Sequence, residues 1–331
     1  MRFRELGKTG LKVSPIGLGL AALGRPGYIN LGHASDLKKK YKVKRMEKNT
    51  HKVLDLAWEL GIRYFDVAQS YGKAEEFLSN WLQKRKFESD IVAVGSKWGY
   101  TYTGNWKVEA QTHEVKDHSH SVLINQWEDS RTKLGSFLKL YQIHSATQES
   151  KVLRDQKVLQ ELHLIKQSGT SIGLSVSGPN QNETILEALE VKFDGIGLFD
   201  AVQATWNLLE QSATPALQAA QQEGIGVIIK EALANGRLTD KNEDPDFKDK
   251  ISLLEFQEKQ LDITTDALAL AAVLNQPWVD VVLSGATTLD QLKSNIKAIT
   301  VTWTEQMESE LGFMREESQQ YWKIRSELPW N

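Results

Sequence analysis

Eight short apolar segments, each followed by a longer helical pattern, constrain the fold of this chain more than any other feature. The eight segments are VSPIGLG, RYFDV, DIVAVGSK, LKLYQIH, TSIGLSV, IGLFDAVQAT, IGVIIKEAL and VDVVLSGAT. Strands that alternate with helices predict a parallel sheet with right-handed crossovers. Eight such units over about 280 residues favour a closed α/β fold, the (β/α)8 TIM barrel.

An open doubly wound sheet is the main alternative for this alternation. A dinucleotide-binding fold of that kind carries a glycine-rich fingerprint between its first strand and its first helix. The corresponding stretch, GLGLAALG, lacks the right helix onset. The barrel is therefore the better prediction.

Both ends of the chain extend beyond the eight units. RFREL and LKVSPIG flank the glycine-rich turn GKTG, which predicts a β-hairpin at about residues 1–14. Residues 301–331 follow the eighth helix as a C-terminal tail. Because no linker or low-complexity segment divides the chain, we predict a single domain over residues 1–331.

Composition and charge exclude several functional classes. The net charge of −3 gives no electrostatic footprint for nucleic acid or an anionic membrane. There are no cysteines, so disulfides, thiolate metal sites and cysteine nucleophiles are ruled out. No run approaches the ~18 apolar residues of a membrane span, and the start of the chain does not resemble a signal peptide. We therefore expect a cytoplasmic protein that acts on a small molecule.

Polar residues end several of the predicted strands, which is where a (β/α)8 barrel carries its catalytic groups. The second segment ends at Asp66, with Tyr71 in the loop after it. The third segment ends at Lys97, and the fourth ends at His144. In the seventh segment, the stretch VIIK ends at Lys230. Because the carboxyl ends of all barrel strands share one mouth, we expect these side chains to converge there.

The four residue types Asp, Tyr, Lys and His together suit proton transfer at a carbonyl or alcohol oxygen. An unperturbed tyrosine has a pKa near ~10, too high for efficient acid–base catalysis at neutral pH. A nearby ammonium lowers that pKa, and a carboxylate keeps the ammonium charged and in place. An imidazole can hydrogen-bond to the substrate oxygen and orient it. None of these groups supplies redox electrons, so an organic cofactor would have to bring the hydride.

The motifs around these residues resemble those of the aldo-keto reductase family, over essentially the whole chain. GIRYFDVAQSYG is similar to the segment with the family's catalytic aspartate and tyrosine, VGSKWG to the segment with its lysine, and YQIHS to the segment with its histidine. The resemblance implies that the catalytic tetrad is Asp66, Tyr71, Lys97 and His144. It further implies an NADP-dependent oxidoreductase that moves a hydride between the nicotinamide and an aldehyde, ketone or sugar carbonyl, or its alcohol. Tyr71 would be the proton donor.

The resemblance also implies where the nicotinamide end of the cofactor lies. Gln203, in VQATWNLLEQ, should hydrogen-bond to the nicotinamide carboxamide, and Ser175 matches the serine at the end of the family's fifth strand. Val176 stands where many members have asparagine. Lys230 stands where an aromatic residue usually stacks on the nicotinamide, so we expect that contact to differ here. The segment IIKEALANGRL adds three more cofactor candidates, which are Leu233, Gly236 and Arg237.

The segment LSGATTLDQLKSN resembles the family's adenine-end segment after the eighth strand. Members that grip the 2′-phosphate tightly carry a lysine and an arginine, where this chain has Gly285 and Gln291. The resemblance then implies that NADP is preferred through contacts from hydroxyls and amides, and not through a bidentate arginine. NAD is the alternative cofactor. The candidates in this segment are Gly285, Ala286, Thr287, Gln291 and Asn295.

Two functions from other classes fit part of the same pattern. A lyase could form a Schiff base on a strand-end lysine, and both Lys97 and Lys230 qualify. A regulatory subunit could hold the nicotinamide nucleotide as a sensor, as do the potassium-channel β subunits that are related to the family. Borohydride trapping and turnover of aldehydes separate these functions from that of a reductase.

Some residues near the motifs have two interpretations. Trp98 follows Lys97 directly and is predicted to line the substrate pocket. Arg237 could meet a cofactor phosphate or lie in a surface loop, and Glu75 is predicted to lie in a solvated first helical turn. No metal site is predicted, because one would need a further ligand and a defined geometry around the loop histidines His113, His118 and His120.

Overall fold

The computed structural model describes residues 1–331, which form fourteen strands and twelve α-helices. The strands are β1 (Arg4–Glu5), β2 (Lys12–Val13), β3 (Ile16–Gly19), β4 (Tyr64–Asp66), β5 (Ala93–Trp98), β6 (Tyr100–Tyr102), β7 (Glu114–Lys116), β8 (Leu138–Ala146), β9 (Ser171–Val176), β10 (Lys192–Phe193), β11 (Ile196–Gly197), β12 (Ala201–Thr205), β13 (Gly226–Lys230) and β14 (Val281–Ser284). The helices are α1 (His33–Asp36), α2 (Val43–Glu59), α3 (Ala74–Arg85), α4 (His120–Leu134), α5 (Gln156–Gln167), α6 (Gln181–Leu189), α7 (Thr214–Gln222), α8 (Lys248–Leu261), α9 (Thr265–Leu274), α10 (Leu289–Ile296), α11 (Glu305–Leu311) and α12 (Ser318–Glu327).

Eight parallel strands close into a barrel in the order β3, β4, β5, β8, β9, β12, β13 and β14. The ring closes where Val282 of β14 pairs with Ile16 of β3. The eight apolar segments of the sequence supply these eight strands. The predicted (β/α)8 barrel is confirmed.

Side chains alternate between the inside and the outside of the barrel along each strand, as the period of two requires. In β4, Tyr64 packs in the interior cluster, while Phe65 packs outward against the helices. In β5, Val94 and Trp98 both lie in the outer layer, so Lys97 between them faces the interior. This alternation delivers the polar end of each strand to the mouth.

The main hydrophobic core lies between the strands and the surrounding helices. In α2, for example, Val53, Leu54 and Ala57 occupy one helical face and are fully buried. Fully burying one large aliphatic side chain stabilises the fold by ~1.5–3 kcal/mol, so this layer holds the barrel rigid. A rigid barrel fixes the strand ends on which the polar groups stand.

The N-terminal hairpin closes the bottom of the barrel. Strands β1 and β2 pair antiparallel, as the sequence predicts. Leu6 and Val13 are fully buried in the interior cluster, with Tyr64 and Leu140 above them. Because this end is plugged by apolar side chains, only the opposite end can admit a ligand.

Insertions and the tail cover the open end more extensively than the sequence pattern indicates. The stretch after the third segment contains the β6–β7 hairpin, and the stretch after the seventh contains helix α8. Helix α8 forms because Leu254 packs with Leu311 and Tyr321 of the tail in a second hydrophobic cluster. None of the twelve helices combines the length and the apolarity that a membrane crossing requires.

Candidate active site

The ends of β4 and β5 place a buried carboxylate beside a buried ammonium. Lys97 Nζ donates to Asp66 Oδ1 and, at 3.0 Å, to the carbonyl oxygen of Val67. Asp66 Oδ2 accepts from Gln203 Nε2 at 2.8 Å and from the Tyr64 hydroxyl at 3.4 Å. The Lys97 and Asp66 side chains are 0% and 2% exposed. The two charges compensate each other where water is excluded. Removing either residue would leave the charge of the other one buried without a partner.

Tyr71 lies in the loop after β4, against this ion pair. Its ring centroid is 4.9 Å from Lys97 Nζ and 5.5 Å from the His144 ring, which meets it edge-on. Burial and the Asp66 carboxylate raise the pKa of Tyr71 well above its usual value. The lowering of this pKa that the sequence predicted is not found, because burial and the Asp66 charge outweigh the effect of the nearby cations. The phenol is therefore protonated at neutral pH.

His144 lies near the end of β8 and lines the same cavity. Burial, to which the charges of Lys97 and Arg25 add, lowers the pKa of His144 well below its ordinary value. The imidazole is therefore neutral and can both donate and accept a hydrogen bond. Its Nδ1 lies 3.5 Å from the Ser70 hydroxyl, which leaves Nε2 for a ligand.

A cavity of about 790 Å³ opens at this end of the barrel and is large enough for a nucleotide and a small substrate. Three of the four tetrad residues line it, namely Asp66, Tyr71 and His144. Lys97 lies behind them, fully buried. Nine of the predicted cofactor residues line the same cavity: Gln203, Lys230, Leu233, Gly236, Gly285, Ala286, Thr287, Gln291 and Asn295.

The far end of the cavity is built from loop amides, hydroxyls and one ion pair. Gln291 Oε1 accepts from the backbone N–H of Thr287 at 2.9 Å, and Gln291 Nε2 donates to Asp36 Oδ2 at 2.8 Å. Asp36 also pairs with Lys241 at 2.5 Å. At Gly285, no atom lies within 4 Å of the position that a Cβ would take. The backbone there is open to a ligand, which fits the close approach of a nucleotide.

Lys230 stands at the end of β13 and lines the cavity. Its Nζ donates to the Thr205 hydroxyl at 2.6 Å, and burial lowers its pKa to about 8. The neighbouring Glu231 pairs instead with Arg325 of α12 at 2.6 Å. Burial acts to raise the pKa of Glu231, but Arg325 and Lys230 together lower it to about 2. Lys230 therefore keeps its charge without a direct carboxylate partner.

Besides Lys97, three residues assigned to the site from the sequence do not line the cavity. Trp98 is fully buried in the outer layer, because it follows Lys97 and adjacent strand residues point to opposite faces. Arg237 makes a two-pronged ion pair with Glu316 at 2.7 and 2.9 Å. Ser175 accepts a hydrogen bond from the backbone N–H of Ser145 at 2.8 Å. Trp98 faces outward, whereas Arg237 and Ser175 are engaged by other residues of the chain.

One other interpretation, that of Glu75, is corrected by the structure. Glu75 is 4% exposed and accepts hydrogen bonds from Ser96 and Ser130, each at 2.6 Å, so it is not a solvated residue. The loop histidines are dispersed, since His113 stacks on Trp330 at 3.9 Å, while His118 contacts the carbonyl oxygen of His144 at 2.9 Å.

The sequence reasoning missed several residues that line the catalytic part of the cavity. They come from loops and from the tail: Arg25, Tyr28, Tyr100, Glu114, Arg325 and Trp330. The tail reaches the site because Trp330 bridges to Ile29, and the backbone N–H of Tyr28 donates to the Asn331 carbonyl oxygen at 3.1 Å. Arg25 carried a local signal, since it is a charged residue between Gly24 and Gly27 in the stretch that follows the first barrel strand.

Comparisons with known proteins agree with this geometry. A family model described as the Aldo/keto reductase family matches residues 15–311. The chain is 25% identical over 318 residues to the uncharacterized oxidoreductase YqkF of Bacillus subtilis, a match that covers 90% of this chain and 91% of that protein. It is 24% identical over 336 residues to L-glyceraldehyde 3-phosphate reductase of Escherichia coli, with 90% of this chain and 88% of that protein covered.

The fold is also similar to that of a solved structure, the holo form of aldo-keto reductase AKR11C1 from Bacillus halodurans. The TM-score is 0.71 at 21% identity, and the alignment covers 97% of this chain and 99% of that chain. At this identity the likeness shows the shared barrel alone.

Proposed function

The chain belongs to the aldo/keto reductase family, and from that membership we propose that it is an NADP(H)-dependent oxidoreductase. It transfers a hydride between the nicotinamide and a carbonyl group or its alcohol. The observation that carries the proposal is one cavity that is lined by a protonated tyrosine, a neutral histidine and an aspartate that holds a buried lysine. The cytoplasm as its place of action stays a prediction from the sequence.

Tyr71 is the proton donor when a carbonyl is reduced. A bound nicotinamide supplies the hydride, and the chain supplies the proton. The Tyr71 hydroxyl is protonated at neutral pH, which is the form that a general acid needs. Its raised pKa disfavours the phenolate, so proton transfer depends on a nearby cation. General acid catalysis of this kind is typically worth ~10²–10⁴-fold. In alcohol oxidation, the same oxygen accepts the proton in its ionised form.

His144 orients the substrate oxygen toward Tyr71. A neutral imidazole whose Nδ1 lies near Ser70 presents Nε2 to the cavity. A hydrogen bond from Nε2 would hold the substrate oxygen within reach of the phenol. Holding a reacting atom in place in this manner lowers the entropic part of the activation free energy.

Lys97 and Asp66 stabilise the tyrosine after it has lost its proton. The Lys97 ammonium, 4.9 Å from the Tyr71 ring centroid, attracts a phenolate more strongly than it attracts a phenol. Asp66 fixes Lys97 in place and keeps it charged despite its burial. The pair therefore acts through Tyr71, while Tyr71 and His144 face the substrate.

The residues along the cavity fit an extended nucleotide. Gln203 would meet the nicotinamide end, while Gly285 offers open backbone farther along. We assign a preference for NADP over NAD to the hydroxyl of Thr287, the amide of Gln291 and the ammonium of Lys241. Because Asp36 already holds Gln291 and Lys241, this preference is weaker than one based on a free arginine.

A cofactor-coupled screen tests the proposal. The purified protein is mixed with NADPH or NADH and a panel of aldehydes, ketones and aldoses, and absorbance of the reduced nicotinamide is followed. Alcohols with NADP⁺ or NAD⁺ provide the reverse direction. The panel includes glyceraldehyde 3-phosphate, because one relative is named for that substrate. We expect turnover with at least one carbonyl and faster turnover with NADPH. Tight nucleotide binding without turnover across the panel contradicts the proposal and favours a sensor.

The lyase alternative is separated by a second readout. Lys97 is fully buried, so Lys230, which lines the cavity, is the lysine able to form an imine. Borohydride treatment with a carbonyl ligand would then attach that ligand to the peptide with Lys230. We expect no such adduct, and a stoichiometric adduct would replace the hydride-transfer function with Schiff-base chemistry.

A further inference from the structure

Arg25 is a buried arginine in the loop between β3 and α1, and the mechanism above gives it no role. It lines the cavity and is 3% exposed. Its Nη1 donates to the carbonyl oxygen of Ser70 at 3.1 Å and to Glu114 Oε2 at 2.7 Å. Its Nε is buried without a hydrogen-bond partner. Burying a guanidinium with a donor unsatisfied is costly, so a role in packing alone does not account for it.

Two glycines bring Arg25 against the catalytic loop. Gly72 has a φ of 61°, and a Cβ on it would lie 2.5 Å from the carbonyl oxygen of Gly24. A Cβ on Gly24 would lie 2.3 Å from the carbonyl oxygen of Tyr71. The two backbones pack too closely for any larger residue at either position. Arg25, the residue after Gly24, is thereby held beside Tyr71.

Aromatic rings enclose the guanidinium on the cavity side. Its Cζ lies 5.4 Å from the ring centroid of Tyr71, 5.3 Å from that of Tyr28 and 4.9 Å from that of Trp330. Contacts of this length are favourable cation–π interactions, more so where water is excluded. They keep the charge of Arg25 next to the proton donor.

Charged and titratable groups from several elements face Tyr71. They are Asp66, Lys97, His144, Tyr28, Tyr64, Arg25, Glu114 and Glu231. Lys97 is paired with Asp66, and Glu231 is paired with Arg325. The remaining pair is Arg25 with Glu114. Of these two, Arg25 acts to lower the pKa of Tyr71, while Glu114 acts to raise it.

We propose that Arg25 is a positioning residue, which holds the Tyr71 loop through Ser70 and stabilises the phenolate of Tyr71. Glu114 partly offsets the charge of Arg25 and so limits this stabilisation. This inference rests on the proposed function, in that Tyr71 is the proton donor. Glu114 begins β7, so the β6–β7 hairpin is electrostatically coupled to proton transfer. Two cations, Lys97 in β5 and Arg25 in the loop after β3, therefore act on one tyrosine.

The test measures the titration of Tyr71 directly. The protein, loaded with NADP⁺ and carrying ¹³Cζ-labelled tyrosine, is titrated by NMR from about pH 7 to the pH at which it unfolds, and the ionised fraction of Tyr71 at each pH is compared between variants. Of the eight tyrosines, Tyr71 is the one whose signal is missing from Tyr71→Phe. Arg25→Met should raise the pKa of Tyr71 by about one unit or more, from a unit charge a few ångströms away at an effective dielectric constant of about 20. Glu114→Gln should lower it by less.

The double variant and a conservative variant separate electrostatics from structural damage. Arg25→Met combined with Glu114→Gln removes a neutral pair, so its Tyr71 titration should return to within about half a unit of the wild type. Arg25→Lys keeps the charge and should retain most of the effect. Arg63→Met is the matched control, because Arg63 lies 3.4 Å over the Trp58 ring and does not line the cavity. Arg63→Met should leave the pKa of Tyr71 unchanged.

The signs of the shifts decide the outcome. Opposite shifts in Arg25→Met and Glu114→Gln support the proposal, while shifts in the same direction, or no shift in either, overturn it. If Arg25→Met does not fold, Arg25→Lys and Glu114→Gln carry the same test, and an unmoved titration in Glu114→Gln overturns it. The titration needs no turnover, so the two proposals can fail separately. If the protein has no reductase activity but the two variants shift the pKa of Tyr71 in opposite directions, the proposed function is refuted and the effect of Arg25 on Tyr71 stands.

Discussion

Replacing Lys97 by methionine should destabilise the protein as well as inactivate it. Lys97→Met keeps a side chain of similar length but leaves the Asp66 carboxylate buried without its counter-charge. The two side chains are 0% and 2% exposed, so water cannot replace the missing ammonium. Removing one partner of a buried ion pair generally costs about 3–5 kcal/mol of unfolding free energy. Gln203 and Tyr64 still donate to Asp66, which favours the lower end of that range.

The chain length converts this free energy into a melting temperature. At about 2.1 cal/mol/K of unfolding entropy per residue, 331 residues give ~0.7 kcal/mol/K. A loss of about 3–5 kcal/mol then lowers Tm by about 4–7 °C. Calorimetry or circular dichroism resolves a change of this size.

A double variant distinguishes the unpaired charge from a packing defect. Lys97→Met combined with Asp66→Asn removes both charges, and the carboxamide oxygen introduced by the second substitution would still accept the hydrogen bond from Gln203. We expect the double variant to recover most of the lost stability, since neutral replacements of buried ion pairs are often close to neutral in free energy. It should stay inactive, because the phenolate of Tyr71 has lost its nearby cation.

Two results would refute this reasoning. A Tm for Lys97→Met within about 1 °C of the wild type would mean that Asp66 is solvated or protonated in the folded protein, contrary to the geometry. A double variant no more stable than Lys97→Met would assign the loss to packing, not to charge. Lys166→Met is the control, because its pair with Asp200 is about one-quarter exposed and should be worth only ~0–1 kcal/mol.

The remaining predictions concern the cofactor. Gln291→Arg should raise the ratio of NAD to NADP dissociation constants by about tenfold, the value of one charge-assisted hydrogen bond; an unchanged ratio would place the 2′-phosphate elsewhere. Lys230 is protonated below its pKa of about 8 and then repels the positively charged oxidised nicotinamide, so NADP⁺ should bind more tightly relative to NADPH as pH rises from about 7 to about 9. Lys230→Met should remove this pH dependence, and a dependence that persists in the variant would show that Lys230 does not cause it. Arg237→Met should lower Tm because Glu316 loses its buried partner. Both nucleotide dissociation constants should stay within about twofold of the wild type, and a larger loss of affinity would indicate that Arg237 contacts the cofactor.

The sequence predicted those parts of the molecule that depend on local pattern. Each barrel strand could be recognised from a short apolar run, and the polar residue at its end followed from the strand direction. The structure brings Asp66, Tyr71, Lys97 and His144 together because the period of two turns three of them inward at adjacent strand ends. The same rule would have excluded Trp98, since the residue next to Lys97 must face outward.

The rest of the site depends on contacts between segments far apart in sequence. Arg25 meets Glu114 across 89 positions, and Arg325 meets Glu231 across 94. No local pattern specifies such pairs. The partners of Arg237 and Glu75 could not be predicted for the same reason, because Glu316 and Ser130 are also remote in sequence. The direction of the Tyr71 pKa shift was missed because it depends on burial and on the balance of two charges, which a sequence does not give.

Loss of hydride transfer without loss of nucleotide binding in Tyr71→Phe is the most direct test of the central claim. The phenol acts on the substrate oxygen, so removing its hydroxyl should lower the rate of carbonyl reduction at least ~100-fold. The dissociation constant of NADPH, measured by fluorescence titration on the same preparation, should stay within about twofold of the wild type. A variant that keeps more than about a tenth of the wild-type rate would contradict the assignment of Tyr71 as the proton donor.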